Sequence, residues 1–179
     1  MNKNVGSFLA VMLLLSVFVS CSKHTNYATD EPFIILKSSP AGPDHIKNFY
    51  PRYLGIYDDG RLVLYSEETD DIKMGVDAPT FEKKITDEEV EKVKEAIEKN
   101  KFWRLKENLS DDNSVDGGFS YVTVNLTDKT KRVGGLNPQN KRFSEIKKYV
   151  YSLLDDGEYR RWIEDIEAHI LQMNPEFAE

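Results

Sequence analysis

Tyr53-Leu54-Gly55-Ile56-Tyr57-Asp58-Asp59-Gly60-Arg61-Leu62-Val63-Leu64-Tyr65 decides the fold class. In an extended chain, successive side chains point to opposite faces. Leu54 and Ile56 therefore share one face, and Tyr53 and Tyr57 share the other. Beyond Asp58-Asp59-Gly60, Leu62 and Leu64 alternate with Val63 and Tyr65. Asp-Gly supplies the positive φ that a tight hairpin turn requires. The stretch predicts an antiparallel hairpin with one aliphatic face and one tyrosine face.

Downstream, the acidic run 67–71 ends the second strand, and a further short strand is expected at 80–85. Thr86 with Glu89 three residues on forms a capping box, and Ile85 and Val90 occupy the positions of a hydrophobic staple. Val90, Val93 and Ile97 make an apolar stripe at helical spacing, and Asn100 ends it. Phe102, Trp103 and Leu105 fold onto the same core. After a polar loop at 109–118, Val122, Val124 and Leu126 alternate inward, Asp128-Lys129 turns the chain, and 130–133 returns. Gly134-Gly135 reads as a loose exit. Asn137 is expected to cap a second helix with Pro138 at its first position. Phe143, Ile146, Val150, Leu153 and Leu154 form that helix's stripe, and Asp155-Asp156-Gly157 interrupts it. A last amphipathic helix is expected over about 158–173 with Trp162, Ile163, Ile166 and Ile170. The order is hairpin, helix, hairpin, helix. It predicts an α+β fold: an antiparallel sheet built from two hairpin-helix units, helices on one face, and an extra C-terminal helix.

Upstream, Phe33-Ile34-Ile35-Leu36 reads as a leading strand, broken by Ser39-Pro40-Ala41-Gly42-Pro43. Residues 22–32 are polar and short on aliphatics, as in a flexible tether. Before them, Lys3 precedes an apolar run from Val5 to Val19. The run is short for a membrane span, which takes about 20 apolar residues, and suits a secretory signal. It ends at Cys21, the single cysteine of the chain. An ordinary secretory cut before Lys23 and an uncleaved anchor remain alternatives.

Phe18-Val19-Ser20-Cys21 resembles the lipobox of bacterial lipoproteins, with Phe18 where Leu is usual. The resemblance implies cleavage between Ser20 and Cys21 and lipidation of Cys21. An odd cysteine in an exported chain calls for an explanation, and lipidation supplies one. The division expected is signal peptide 1–20, lipidated N-terminus and tether 21–32, and one α+β domain 33–179. The run of motifs from Tyr57-Asp58-Asp59-Gly60-Arg61 through Ile85-Thr86-Asp87-Glu88-Glu89 and Phe102-Trp103-Arg104-Leu105 to an Asp-containing loop before a Thr-rich strand resembles a domain of unknown function in bacterial lipoproteins. That resemblance covers about 50–154 and implies an envelope location and no chemistry.

Charge narrows the partners. The chain carries 24 Lys and Arg against 31 Asp and Glu, a net −7, and the signal contributes only Lys3. Affinity for nucleic acid comes from neutralising phosphates, so the acidic balance argues against such a partner. The membrane contact expected is the lipid at Cys21. His24, His45 and His169 lack second ligands at zinc spacing. Asp112-Asn113-Ser114-Val115-Asp116-Gly117 resembles the front of a calcium loop, but its twelfth position is Thr123 and not Glu, so a solvated turn is the simpler reading. The chain has no Gly-x-Ser-x-Gly elbow, and Gly117-Gly118 and Gly134-Gly135 lack a phosphate-loop pattern. No metal or cofactor is implied. Asp70-Asp71 and Asp111-Asp112 are the carboxylate pairs best placed for a hydrolytic role. Tyr53, Tyr57 and Tyr65 form a candidate binding face for an envelope protein or glycan, unless the leading strand, residues 70–80 or the last helix covers them. The expected function is a lipid-anchored, non-catalytic binding or accessory module of a bacterial cell envelope, facing outside the cytoplasm. An envelope hydrolase using dispersed carboxylates and an enzyme inhibitor are the alternatives.

Overall fold

The hairpin forms as its alternation requires. In the computed structural model, which describes residues 25–41, 50–111 and 117–178, β2 (Arg52–Ile56) pairs with β3 (Arg61–Ser66), Leu54 opposite Leu64 and Ile56 opposite Leu62. Gly60 sits at φ 86°, and the Asp59 carboxylate accepts from the Arg61 amide at 2.9 Å. β4 (Phe81–Lys84) extends this sheet on the far side of β3. The second hairpin joins β5 (Gly117–Asn125) to β6 (Thr130–Leu136).

The leading strand unites the two hairpins. β1 (Ile34–Ala41) lies between β2 and β5 and is antiparallel to both, giving the six-stranded order β4-β3-β2-β1-β5-β6. It continues through Pro40, where a break is expected from the sequence. The reason is positional: pairing with β2 ends at Ser38, so Pro40 stands where β1 has only β5 beside it. Proline is tolerated at such edge positions because a missing N–H there costs no ladder bond.

Three helices complete the fold: α1 (Asp87–Lys99), α2 (Lys141–Tyr151) and α3 (Asp156–Met173). Thr86 and Glu89 close the expected capping box on α1, and a 3-10 turn at Phe102–Arg104 follows. Two helix starts differ from expectation. The α2 cap is Asn140, which accepts from the Phe143 amide at 3.2 Å; Asn137 instead takes φ 44° and accepts from Gly118 at 3.0 Å. α3 begins at Asp156 because Asp155 caps it and Glu158 completes a second capping box, so the acidic-glycine stretch starts this helix rather than merely breaking the last one.

The stripes Val90, Val93 and Ile97 of α1, Phe143, Ile146 and Val150 of α2, and Trp162, Ile166 and Ile170 of α3 join one core with Ile34, Leu36, Leu54, Ile56, Leu62, Leu64, Val122, Val124 and Val133. All three helices therefore serve the same sheet face. Each fully buried aliphatic side chain contributes about 1.5–3 kcal/mol. Residues 25–32 do not behave as a tether. Tyr27 and Ala28 are buried, Tyr27 bridges to Leu126, and the Ala28 amide donates to Asn125 at 3.1 Å. Tyr27 packs edge-on against buried Phe33 at 5.3 Å, which gives this polar-looking stretch an apolar reason to dock. Packed chain thus begins by residue 25 rather than 33. Among the described residues, no helix is long and apolar enough to cross a membrane.

Candidate functional site

The face of the sheet turned away from the helices carries the three candidate tyrosines. The register sets Tyr65 beside Tyr53, Tyr53 beside Lys37, and Lys37 beside Tyr121. Tyr53 and Tyr65 stack with centroids 4.8 Å apart and planes 9° from parallel. The Lys37 ammonium lies 5.0 Å from the Tyr53 ring, Arg132 3.8 Å from the Tyr121 ring, and Arg61 3.9 Å from the Tyr57 ring. Each cation–π contact is worth about 0.5–1 kcal/mol at an exposed site. Burial pushes Tyr65 up to about 12, helped by the Glu67 carboxylate. Tyr53 is raised by burial and by its hydrogen bond to Glu67. Tyr53 and Tyr65 are half-buried, and each has a ring face taken up by the other, with the Lys37 ammonium near the Tyr53 ring.

None of the three expected covers lies over this face. β1 is within the sheet. The 72–79 segment is tied to α3 on the other side: Asn174 bonds both the N–H and C=O of Lys73, His169 meets the Met74 carbonyl at 2.6 Å, and Trp162 donates to Pro79 at 3.1 Å. Lys37, Phe119, Tyr121 and Arg132 belong to the same face and escape the sequence reading. Tyr121 is out of phase with inward-facing Val122 and Val124, which marks it as outward, but only the position of β1 shows that it neighbours Lys37.

A second feature lies at the Pro40 end of β1. The inward positions of three adjacent strands change character together. Ile34, Ile56 and Val124 form one apolar row, and Leu36, Leu54 and Val122 the next. The third row is Arg52, Ser38 and Ser120. Over it lies α2, whose Phe143, Lys147 and Tyr151 recur at four-residue spacing and so share one side of the helix. The result is a groove of about 890 Å³ between these rows, Phe119, Lys148 and the 137–139 turn. Its described lining contains three cations and no carboxylate. Ser120 is 6% exposed, and its hydroxyl has no hydrogen-bond partner. The Arg52 Nε is likewise buried and unpartnered, while its guanidinium lies 4.7 Å from the Tyr50 ring. Burial pushes Tyr50 up to about 12 against the opposing pull of Arg52. Burial alone lowers the Lys147 pKa.

The remaining candidates separate. Ser20, Cys21, His24, His45 and the calcium-like stretch 112–116 lie outside the described residues. Asp70 and Asp71 follow β3, whereas Asp111 runs beside β6 at the opposite edge of the sheet, its amide donating to Leu136 at 2.9 Å. Asp111 therefore does not share a cleft with Asp70 and Asp71. Among the described residues, no cluster of His, Cys, Asp and Glu is arranged to hold a metal ion. Compared with known proteins, the chain matches no family model and no curated protein sequence.

Proposed function

We propose that this chain is a lipid-anchored, non-catalytic binding module of a bacterial cell envelope, tethered by Cys21 and facing outside the cytoplasm. The observation that carries the binding half is the sheet face turned away from the helices, where Tyr53, Tyr57, Tyr65 and Tyr121 stand among Lys37, Arg61 and Arg132. The partner fitted best is an envelope protein. Sugars stack on free aromatic faces, and here the rings face one another or a cation. What remains is phenolic edges and long cations, the contact chemistry enriched at protein interfaces. The anchor half rests on the lipobox resemblance and on the lone Cys21.

Metabolic labelling with a fatty-acid analogue tests the anchor. The wild-type chain incorporates label and fractionates with membranes; Cys21→Ala does neither. Unlabelled wild-type protein in the medium removes the anchor from the proposal. For the binding half, a photo-crosslinking residue at Tyr65 captures a discrete protein adduct in intact cells, while the same residue at fully exposed Val76, on the α3-bound segment, does not. Equal yields at both positions count against the tyrosine face.

A further inference from the structure

Core rows in a sheet are apolar because a buried polar group without a partner loses its hydration and gains nothing. The Arg52-Ser38-Ser120 row breaks that pattern in three strands at one level, directly beneath α2. Ser38 has a partner within reach, the Tyr151 phenol. The Ser120 hydroxyl and the Arg52 Nε have none. Two orphaned polar groups in one groove are what a site looks like when its ligand's hydrogen bonds are missing.

The charges say what that ligand is. In a chain of net −7, the groove holds Arg52, Lys147 and Lys148 with no carboxylate in its described lining. None of the three forms an ion pair with a described residue. Lys83, Lys92 and Lys94, by contrast, are paired, with Glu158, with Glu88, and with both Asp58 and Glu91. The α2 N-terminus, with Ser144 in its first turn, borders the groove. Its first turn carries no acidic residue, whereas those of α1 and α3 do. A guanidinium, two ammonium groups, serine hydroxyls and a helix start are the donor set of a phosphate site. The cavity of about 890 Å³ is too large for inorganic phosphate alone, and Pro40, Phe119, Pro138 and Tyr151 supply apolar walls for an attached organic group.

We infer that this groove binds a water-soluble phosphomonoester, its phosphate held by Arg52, Ser120 and Lys147 and its organic part lying toward Phe119 and Tyr151. The inference stands apart from the anchor; of the tyrosine face, which is on the other side of the sheet, only Phe119 at the end of β5 also reaches the groove lining.

Calorimetric titration of the full chain in neutral detergent tests it with three probes at constant ionic strength: inorganic phosphate, glycerol 3-phosphate and short-chain phosphatidylglycerol. Glycerol 3-phosphate binds saturably and more tightly than the other two. Lys147→Gln and Arg52→Gln each weaken it by about tenfold or more, the scale of one charge-assisted hydrogen bond, and Lys147→Arg retains most of the affinity. Ser120→Ala weakens binding yet raises the melting temperature of the ligand-free protein, because it removes a buried hydroxyl that has no partner. That opposite pair of effects separates a site from a merely structural row. The proposal is overturned by no saturable binding of the soluble ester, by binding that these substitutions leave unchanged, or by preference for phosphatidylglycerol.

Discussion

Gly134 occupies a position that no other residue fits. Its φ is 154°, and a Cβ built there would lie 2.1 Å from the Ser120 carbonyl oxygen and 2.7 Å from the Tyr121 Cα. On its neighbour Gly135 a Cβ would lie 2.3 Å from Ser110 Oγ and 2.8 Å from Ser110 N. The pair reads in the sequence as a loose strand exit. In the fold both residues are inside β6, and they let residues 107–111 run along its outer edge. Leu109 donates to Gly134 at 2.8 Å, Gly134 to Glu107 at 2.9 Å. A glycine pair announces close backbone approach. It does not name the partner, and 107–111 lacks the alternation that would have identified it. Gly134→Ala should therefore destabilise by roughly 3 kcal/mol, combining backbone strain and steric overlap. A lower urea midpoint with an unchanged slope is the expected readout; wild-type stability in the alanine variant would mean that β6 relaxes away from β5.

At the scale of the element, helix ends were legible where a side chain caps its own helix and misleading where a nearby residue imitated a cap. Thr86 and Glu89 announce α1 by spacing alone. Asn137-Pro138 has the form of a helix start, but Asn137 is drawn to the Gly118 amide across the β5–β6 end, and Asn140 takes over the cap. The two capping boxes also make acid stability a local property. Hydrogen bonds from the Thr86 backbone and side chain hold the Glu89 carboxyl below its ordinary 4.5. The Lys83 ammonium, then the Asp155 amide, does the same for Glu158. A carboxyl whose folded pKa is depressed stabilises the fold fully above its unfolded value and loses that contribution as pH falls through the folded value. The double variant Glu89→Gln, Glu158→Gln should thus melt below wild type near neutral pH, with the gap closing below pH 4.5 as wild type loses its own carboxylates. A gap that stays constant down to strongly acid pH would show that these carboxyls act through shape rather than charge.

For the molecule as a whole, β1 decides what faces what. The sequence gives both hairpins and all three helices nearly unaided, since each rests on local alternation or a local stripe. The central place of β1 and the docking of 25–32 come from pairings between distant segments, which carry no local signal. Under the proposed anchoring, the same placement orients the protein. Cys21 is four residues from Thr25, a covalent reach of about 14 Å. Thr25, Asn26 and Tyr27 lie against Asp58, Glu98 and Thr127, at the Ile34 end of β1. The groove opens at the Pro40 end. At about 3.3 Å per residue, the strand's 8 residues separate the two ends by about 23 Å. With Cys21 as the anchor, the short covalent reach keeps this end nearest the bilayer and points the groove outward. Asp58, Glu91, Glu95 and Glu98 lie at this end, with Asp58 and Glu91 paired to Lys94, so the reach and not charge attraction sets the orientation. In the proposed lipoprotein the single cysteine carries the lipid, so one introduced thiol becomes the sole labelling site. A fluorophore on Asp128→Cys, in the β5–β6 turn, should be quenched strongly by a headgroup-attached quencher in vesicles carrying the lipidated protein. On Gln139→Cys, at the groove, it should be quenched weakly. Equal quenching would mean that the domain lies on its side, which would press either the tyrosine face or the helices against the bilayer and leave the groove no privileged exposure.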